Sequence, residues 1–239
     1  FLSFQKGLQN QFYDYDQASS EIIVAAIDET SLEEGNLGAL QTWPRAYYAQ
    51  AIETLNKNGA AVIGIDLTFP DQSAQGNEDD QILAQTLEEN SNVVISSHYI
   101  FENGQKQFKW PNSTLLEAEP IMGMLNVSPD EDGFVRQLPI FSESEKGVLE
   151  AFSLAISRIY LHAEGVDYRI HDHRFDFSKT IQIPVISQTD RATKEEVNLM
   201  NINYFAAPNE FRQISFIDLL NGKLIDKDGE KIDFRDKIV

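Results

Sequence analysis

AAVIGIDLTFP, residues Ala60–Pro70, is an apolar and largely β-branched run that ends in Asp66 and then Phe69-Pro70. An earlier run, EIIVAAID at Glu21–Asp28, has the same form and also closes on an aspartate. Both have the composition of buried strands. Between them, Pro44–Asn58 carries a helical pattern, with Tyr48, Ala51, Ile52 and Leu55 on one face. Pro44 suits the first position of that helix, and Asn58-Gly59 suits its end. Strand, helix and strand in this order predict a parallel βαβ unit with a right-handed crossover. Its two strands are expected side by side, with helices on both faces of the sheet. Asp28 and Asp66 would then stand on one shared rim, the edge where open α/β sheets bind ligands.

The 239 residues are enough for a sizeable core. Acidic residues number 38 against 19 basic ones, a formal charge of -19. Such a surface repels phosphate backbones and anionic membranes, which argues against nucleic-acid binding. The absence of cysteine excludes a disulfide scaffold, thiol catalysis and Cys-zinc sites. No apolar run approaches the roughly 18 residues of a membrane span. The chain does not begin with Met and ends at Lys237-Ile238-Val239, which reads as the start of a strand cut short. It therefore reads as a piece of a longer protein.

Outward from the βαβ unit, Phe1, Phe4, Leu8 and Phe12 recur at helical spacing and predict a lead-in helix within residues 1–20. Asn77 is placed to cap a helix whose first turn holds Glu78, Asp79 and Asp80. Val93–Phe101 reads as a strand turning at Asn103-Gly104 into a second strand, Gln105–Trp110. Gly123–Val127 and Phe134–Ile140 are expected to pair across the turn-forming segment at 128–133. Val148–Ala163 is expected to be one helix, and Ile181–Ile186 and Val197–Tyr204 to be strands. Ser215 is expected to cap a short helix through Leu220. The fold class is α/β: a mixed sheet with a parallel βαβ core flanked by helices, plus an antiparallel hairpin portion. Residues 21–239 are read as a single domain carrying that portion as an insertion.

Candidate ligand-binding residues are Asp28, Arg45, Asp66, Asp80, Asp132 and Arg136. Paired carboxylates at strand ends suit a hard cation or a polar ligand, and Arg45 suits an anion or a carboxylate. Each has a plainer role: a structural ion pair, helix-start electrostatics for Asp79-Asp80, turn chemistry for Asp130-Glu131-Asp132-Gly133, and pairing of Arg136 with Asp132 or its neighbours. Neither acidic cluster matches a calcium loop. His171-Asp172-His173 with Asp176 invites a metal, since His171 and His173 would share one face of a strand, but a third ligand is missing. No phosphate-binding loop, dinucleotide fingerprint or nucleophile elbow is present, so no cofactor and no catalytic residue is assigned.

The order of several pieces resembles the type-two CHASE domain, the cyclase/histidine-kinase-associated sensory extracellular domain. They are VAAIDETSLEEG at 24–35, Trp43-Pro44-Arg45, GAAVIGIDLTFP at 59–70, EDDQILAQTL at 78–87, and GMLNVSPDEDGFVRQLPIF at 123–141. The SLAI helix at 153–156, NINYFAAP at 201–208, ISFIDLLNG at 214–222 and the terminal DKIV complete the set. The resemblance implies an extracytoplasmic sensor of a bacterial membrane signalling protein, with a membrane helix before it and several after it. It implies a small molecule, ion or protein as ligand, and a cytoplasmic adenylate/guanylate cyclase or a kinase as output. The fragment itself would not be an enzyme. A metal-assisted α/β hydrolase built on Asp28 and Asp66, with Asp80 or Asp132 as further ligands, is the competing reading. So is a homodimerisation module pairing through the lead-in helix.

Overall fold

The structure, a computed structural model, describes residues 18–34, 39–127, 129–164, 166–189, 195–204, 207 and 210–239. The expected lead-in helix lies outside them. In chain order the elements begin with β1 (Ile23–Ala26), α1 (Arg45–Lys57), β2 (Ile63–Ile65), α2 (Asn77–Glu89), β3 (Val93–Glu102) and β4 (Gln105–Lys109). Next come α3 (Ser113–Glu117), β5 (Ile121–Met124), β6 (Gln137–Pro139), β7 (Phe141–Ser144), β8 (Gly147–Glu150) and α4 (Phe152–Tyr160). The rest are β9 (Asp167–His171), β10 (Arg174–Asp176), β11 (Gln182–Pro184), β12 (Ile186–Thr189), β13 (Glu196–Asn201), β14 (Arg212–Ser215) and α5 (Phe216–Leu220).

The chain divides into two compact units. One comprises Ser19–Ser96, Trp110–Ile121 and Phe211–Val239 and is built on parallel pairing. Here β14 pairs with β1, and β2 pairs with β3, both in parallel. Ile238 bridges Ile22 on one side and Val62 on the other, again in parallel. The strand order is therefore β14, β1, the terminal Ile238-Val239, β2, β3. This corrects the expectation that β1 and β2 are neighbours. Ile23 N donates to Ile238 O at 2.9 Å and Gly64 N to Val239 O at 2.8 Å, so the last two residues fill the slot between the two ribbons. The ribbons still run the same way, so both point their C-terminal ends toward the same edge of the sheet, with the terminal residues between them. Ile23, Val62, Ile63, Val94, Ile95 and Ile214 are buried in the sheet, and Trp43, Ile52, Phe69, Leu83, Leu115, Leu219 and Phe234 are buried around it. This is the near-continuous apolar patterning that parallel strands require.

The other unit draws on Ser97–Lys109 and Met122–Glu210 and is antiparallel in character. The β3–β4 hairpin turns at Asn103-Gly104, both with positive φ, as that dipeptide predicts. β7 pairs with β8, β9 with β10 and β10 with β11, while β13 lies between β12 and β6. Ile140, Ala151, Leu154, Phe175, Phe177 and Val185 form its core.

Two expectations fail in this unit. The segments flanking 128–133 do not pair with each other: β5 joins β3, and β6 joins β13. Val148–Ala163 is not one helix, because residues 147–150 form β8 and the helix starts only at Phe152. Ala151 bridges Met124 and ends the strand. Hairpin pairing with the preceding strand β7 outweighs the helical period of Leu149 and Phe152. Gly123 shows how close the packing is: a Cβ there would lie 2.4 Å from the Phe152 Cα.

Candidate functional site

The aspartates at the ends of β1 and β2 have different surroundings. Asp28 is half-buried and is committed to its own unit. It accepts hydrogen bonds from Ser31 N at 2.9 Å, Ser31 Oγ at 2.8 Å and Ser215 Oγ at 2.8 Å. Burial works against its charge, but these donors outweigh it and hold the carboxyl below the usual aspartate range. Ser31, fully buried in a π-helical turn over Thr30–Glu34, accepts the Ile217 N–H at 3.2 Å. The start of α5 is thus served by Ser31, and Ser215, the expected cap, gives its hydroxyl to Asp28 instead. Asp66 is exposed and makes no hydrogen bond or ion pair to any described residue. Neighbouring atoms withdraw water from its carboxyl and push its pKa up.

Arg45, Asp79 and Asp80 form a closed knot in the parallel-sheet unit. Pro44 precedes α1 and has no side-chain acceptor, so the first helical N–H groups need an outside partner. Asp79, from the first turn of α2, supplies it: it accepts Arg45 N at 2.6 Å, Ala46 N at 3.0 Å and the Ser73 hydroxyl. Asp80 is fully buried and accepts Arg45 Nε at 3.3 Å, Asn112 Nδ2 at 3.0 Å and Ser73 N at 2.9 Å. Arg45 also donates to Asp71 O at 3.2 Å and stacks over Phe69 at 4.6 Å. Trp43 stacks on Phe216 at 5.5 Å, and Tyr48 meets Phe69 edge-on at 5.2 Å. Burial pushes the Tyr48 phenol up to about 12. Asn77, expected to cap α2, lies inside that helix and accepts Thr114 Oγ1 at 2.6 Å.

In the antiparallel unit, Arg136 is buried and grips both ends of the acidic turn. Its guanidinium meets Asp130 at 2.7 Å and Asp132 at 2.9 and 2.8 Å, and stacks over Phe134 at 4.7 Å. The Arg136 hydrogen bond holds Asp132 down to about 2. His171 ends β9, whereas Asp172 and His173 form a turn with φ of 47° and 59°. The two histidines are not on one face of a strand, which removes the premise of the metal reading. No group of three or more His, Asp or Glu suited to a metal ion occurs among the described residues. Asp28, Asp80 and Asp132 are each held by partners among the described residues.

Sequence reasoning missed two features of this unit. Glu150 is 2% exposed and is satisfied by Arg158 Nε at 2.9 Å and the Tyr168 hydroxyl at 2.9 Å. The second is an open cleft of about 780 Å³ whose lining includes Tyr99, Lys106, Phe108, Phe141, Ser142 and Glu195. The only sequence signal for it was the alternation of Tyr99, Phe101, Lys106 and Phe108 across the Asn-Gly turn.

No helix among the described residues is long and apolar enough to cross a membrane. No curated protein and no solved structure matches the chain. The family model of the CHASE2 domain matches residues 1–239, the whole chain. The chain therefore belongs to the CHASE2 domain family, a family of extracellular sensory domains of signalling proteins.

Proposed function

We propose that this chain is the extracytoplasmic sensory domain of a bacterial transmembrane signalling protein, and that it controls a cytoplasmic adenylate/guanylate cyclase. The family match over the whole chain carries this reading. Ligand binding that differs between two arrangements of the domain would bias the membrane helices and so the output. Of the acids considered for ligand contact, Asp66 is the one that suits it: it is exposed, has no side-chain partner among the described residues and is partly desolvated at the sheet edge that ligands favour. Asp28, Arg45, Asp80, Asp132 and Arg136 are assigned to the scaffold.

The test uses the complete gene. Membranes carrying the full-length protein, and the same protein with residues 18–239 deleted, are assayed for cyclic nucleotide formation. The deletion is expected to change the basal rate severalfold. A gene without membrane helices, or without a cyclase domain, overturns the proposal; a histidine or serine/threonine kinase domain in that place would redirect it to phosphoryl transfer.

A further inference from the structure

Asn58-Gly59, Asn103-Gly104 and Asn221-Gly222 are the chain's Asn-Gly dipeptides. Such a dipeptide is prone to cyclise, because glycine has no Cβ to obstruct attack of its own backbone nitrogen on the preceding side-chain amide. The attack needs a backbone N–H free to lose its proton and a side-chain amide free to turn toward it. Two of these sites withhold one or both. Gly59 N donates to Asn56 O at 3.0 Å at the end of α1, and Asn58 Nδ2 is tied to Thr54 O at 2.8 Å. Gly222 N donates to Leu219 O at 3.1 Å at the end of α5. Asn103-Gly104 differs from both. It forms the tight turn of the β3–β4 hairpin between the paired Glu102 and Gln105, with φ of 51° and 78°. Neither the Gly104 N–H nor the Asn103 side chain makes a hydrogen bond to any described residue, and residues 101–105 are all exposed. The solvated tip of a hairpin opens at little cost, which lets the side chain swing onto the amide.

We propose that Asn103 is a self-modification site, which water converts to aspartate and isoaspartate. Gly104 N loses its proton and bonds to Asn103 Cγ; the Cγ–Nδ2 bond breaks, and Nδ2 leaves with that proton as ammonia. The resulting succinimide ring then takes up water. Opening at Cγ gives aspartate. Opening at the backbone carbonyl carbon gives isoaspartate, whose main chain runs through Cβ and Cγ. Either product adds a negative charge beside Glu102. Isoaspartate also adds a main-chain carbon to a turn that has no slack, so the adjacent Glu102–Gln105 and Phe101–Lys106 pairs lose their register. Lys106 Nζ lies 3.1 Å from Ser142 Oγ and 2.7 Å from a Glu195 carboxylate oxygen, so a change at the exposed tip is passed on to the cleft. The inference does not need the sensory assignment.

Ageing the full chain in mildly alkaline buffer tests it. Deamidation is followed by peptide mass spectrometry, and isoaspartate by enzymatic methyl transfer from S-adenosylmethionine. Asn103 is expected to convert about tenfold faster than Asn58 or Asn221, where a hydrogen bond to the attacking amide must first break. In urea the rates should converge, since only the fold separates them. Asn103→Gly keeps a residue suited to positive φ but has no side-chain amide, and it should lose most of the methyl label. The aged parent should melt below the fresh parent, whereas aged Asn103→Gly should not. An Asn103 that stays intact in the native chain, or that converts no faster than Asn58 or Asn221, would overturn the proposal. Full methyl labelling of aged Asn103→Gly would place the isoaspartate elsewhere and equally overturn it.

Discussion

Asp66 and Asp28 look alike in sequence, each closing an apolar run, yet among the described residues only Asp28 has donors within reach. The Asp66 carboxyl is held above its ordinary value, so the folded chain binds that proton more tightly than the unfolded chain does. Its contribution to stability is therefore greatest below the unfolded aspartate pKa near 3.9 and is lost as pH rises through the folded value. Asp66→Asn removes that loss. Its melting temperature at pH 7 is expected to equal or exceed that of the parent, whereas Asp28→Asn, which trades a satisfied charge for an amide, is expected to melt lower. A destabilised Asp66→Asn would show that the residue has a structural partner and would end its candidacy as a ligand contact.

The knot around Arg45 determines how α1 and α2 start. Asp79 completes the N-terminus of a helix other than its own, and Asp80 fixes the arginine that opens that helix. Arg45→Met leaves Asp80 buried with its amide donors but without its cation, at an expected cost of about 3 kcal/mol. In a chain of this size that corresponds to a fall in melting temperature on the order of 6–12 °C. Asp79→Ala removes three hydrogen bonds at a buried site, for about 2–4 kcal/mol. Thermal or urea unfolding of the two variants measures both effects. If Arg45→Met melted with the parent, the arginine would be free for a ligand and its scaffold role would be wrong. The Trp-Pro-Arg, Phe-Pro and Asp-Asp motifs were legible as motifs, but their role was not. Spacing places Asp79 and Asp80 in a first turn, where the helix dipole already accounts for them. Their cross-helix partners lie 34 and 35 residues away.

At the scale of the whole molecule, the charge of -19 opposes folding through self-repulsion. Arg–Asp pairs such as Arg136–Asp132, Arg169–Asp167 and Arg235–Asp233 recover only part of it locally. Raising ionic strength from about 0.01 M to about 0.15 M, which shortens the screening length from about 30 Å to about 8 Å, should therefore raise the melting temperature. Differential scanning calorimetry across a salt series checks this. A midpoint that fell with salt would mean that the ion pairs dominate the repulsion.

The sequence by itself determined the class of fold, the strands of the parallel portion and the two helices between them. Short β-branched apolar runs ended by aspartate and separated by a helix read as buried parallel strands, and Asn58-Gly59 and Asn103-Gly104 mark backbone turns that require positive φ. Only the tertiary structure decided which strands are neighbours. The period of a strand says which face is buried but not what lies beside it, so nothing local revealed that Ile238-Val239 would separate β1 from β2. At residues 147–151 a helical pattern gives way to a hairpin with β7 and to the bridge from Ala151 to Met124. The same limit applies to the aspartates: whether a carboxylate is a ligand, a cap or half of an ion pair depends on donors brought from far along the chain, and burial and hydrogen bonding, not residue type, settle the difference.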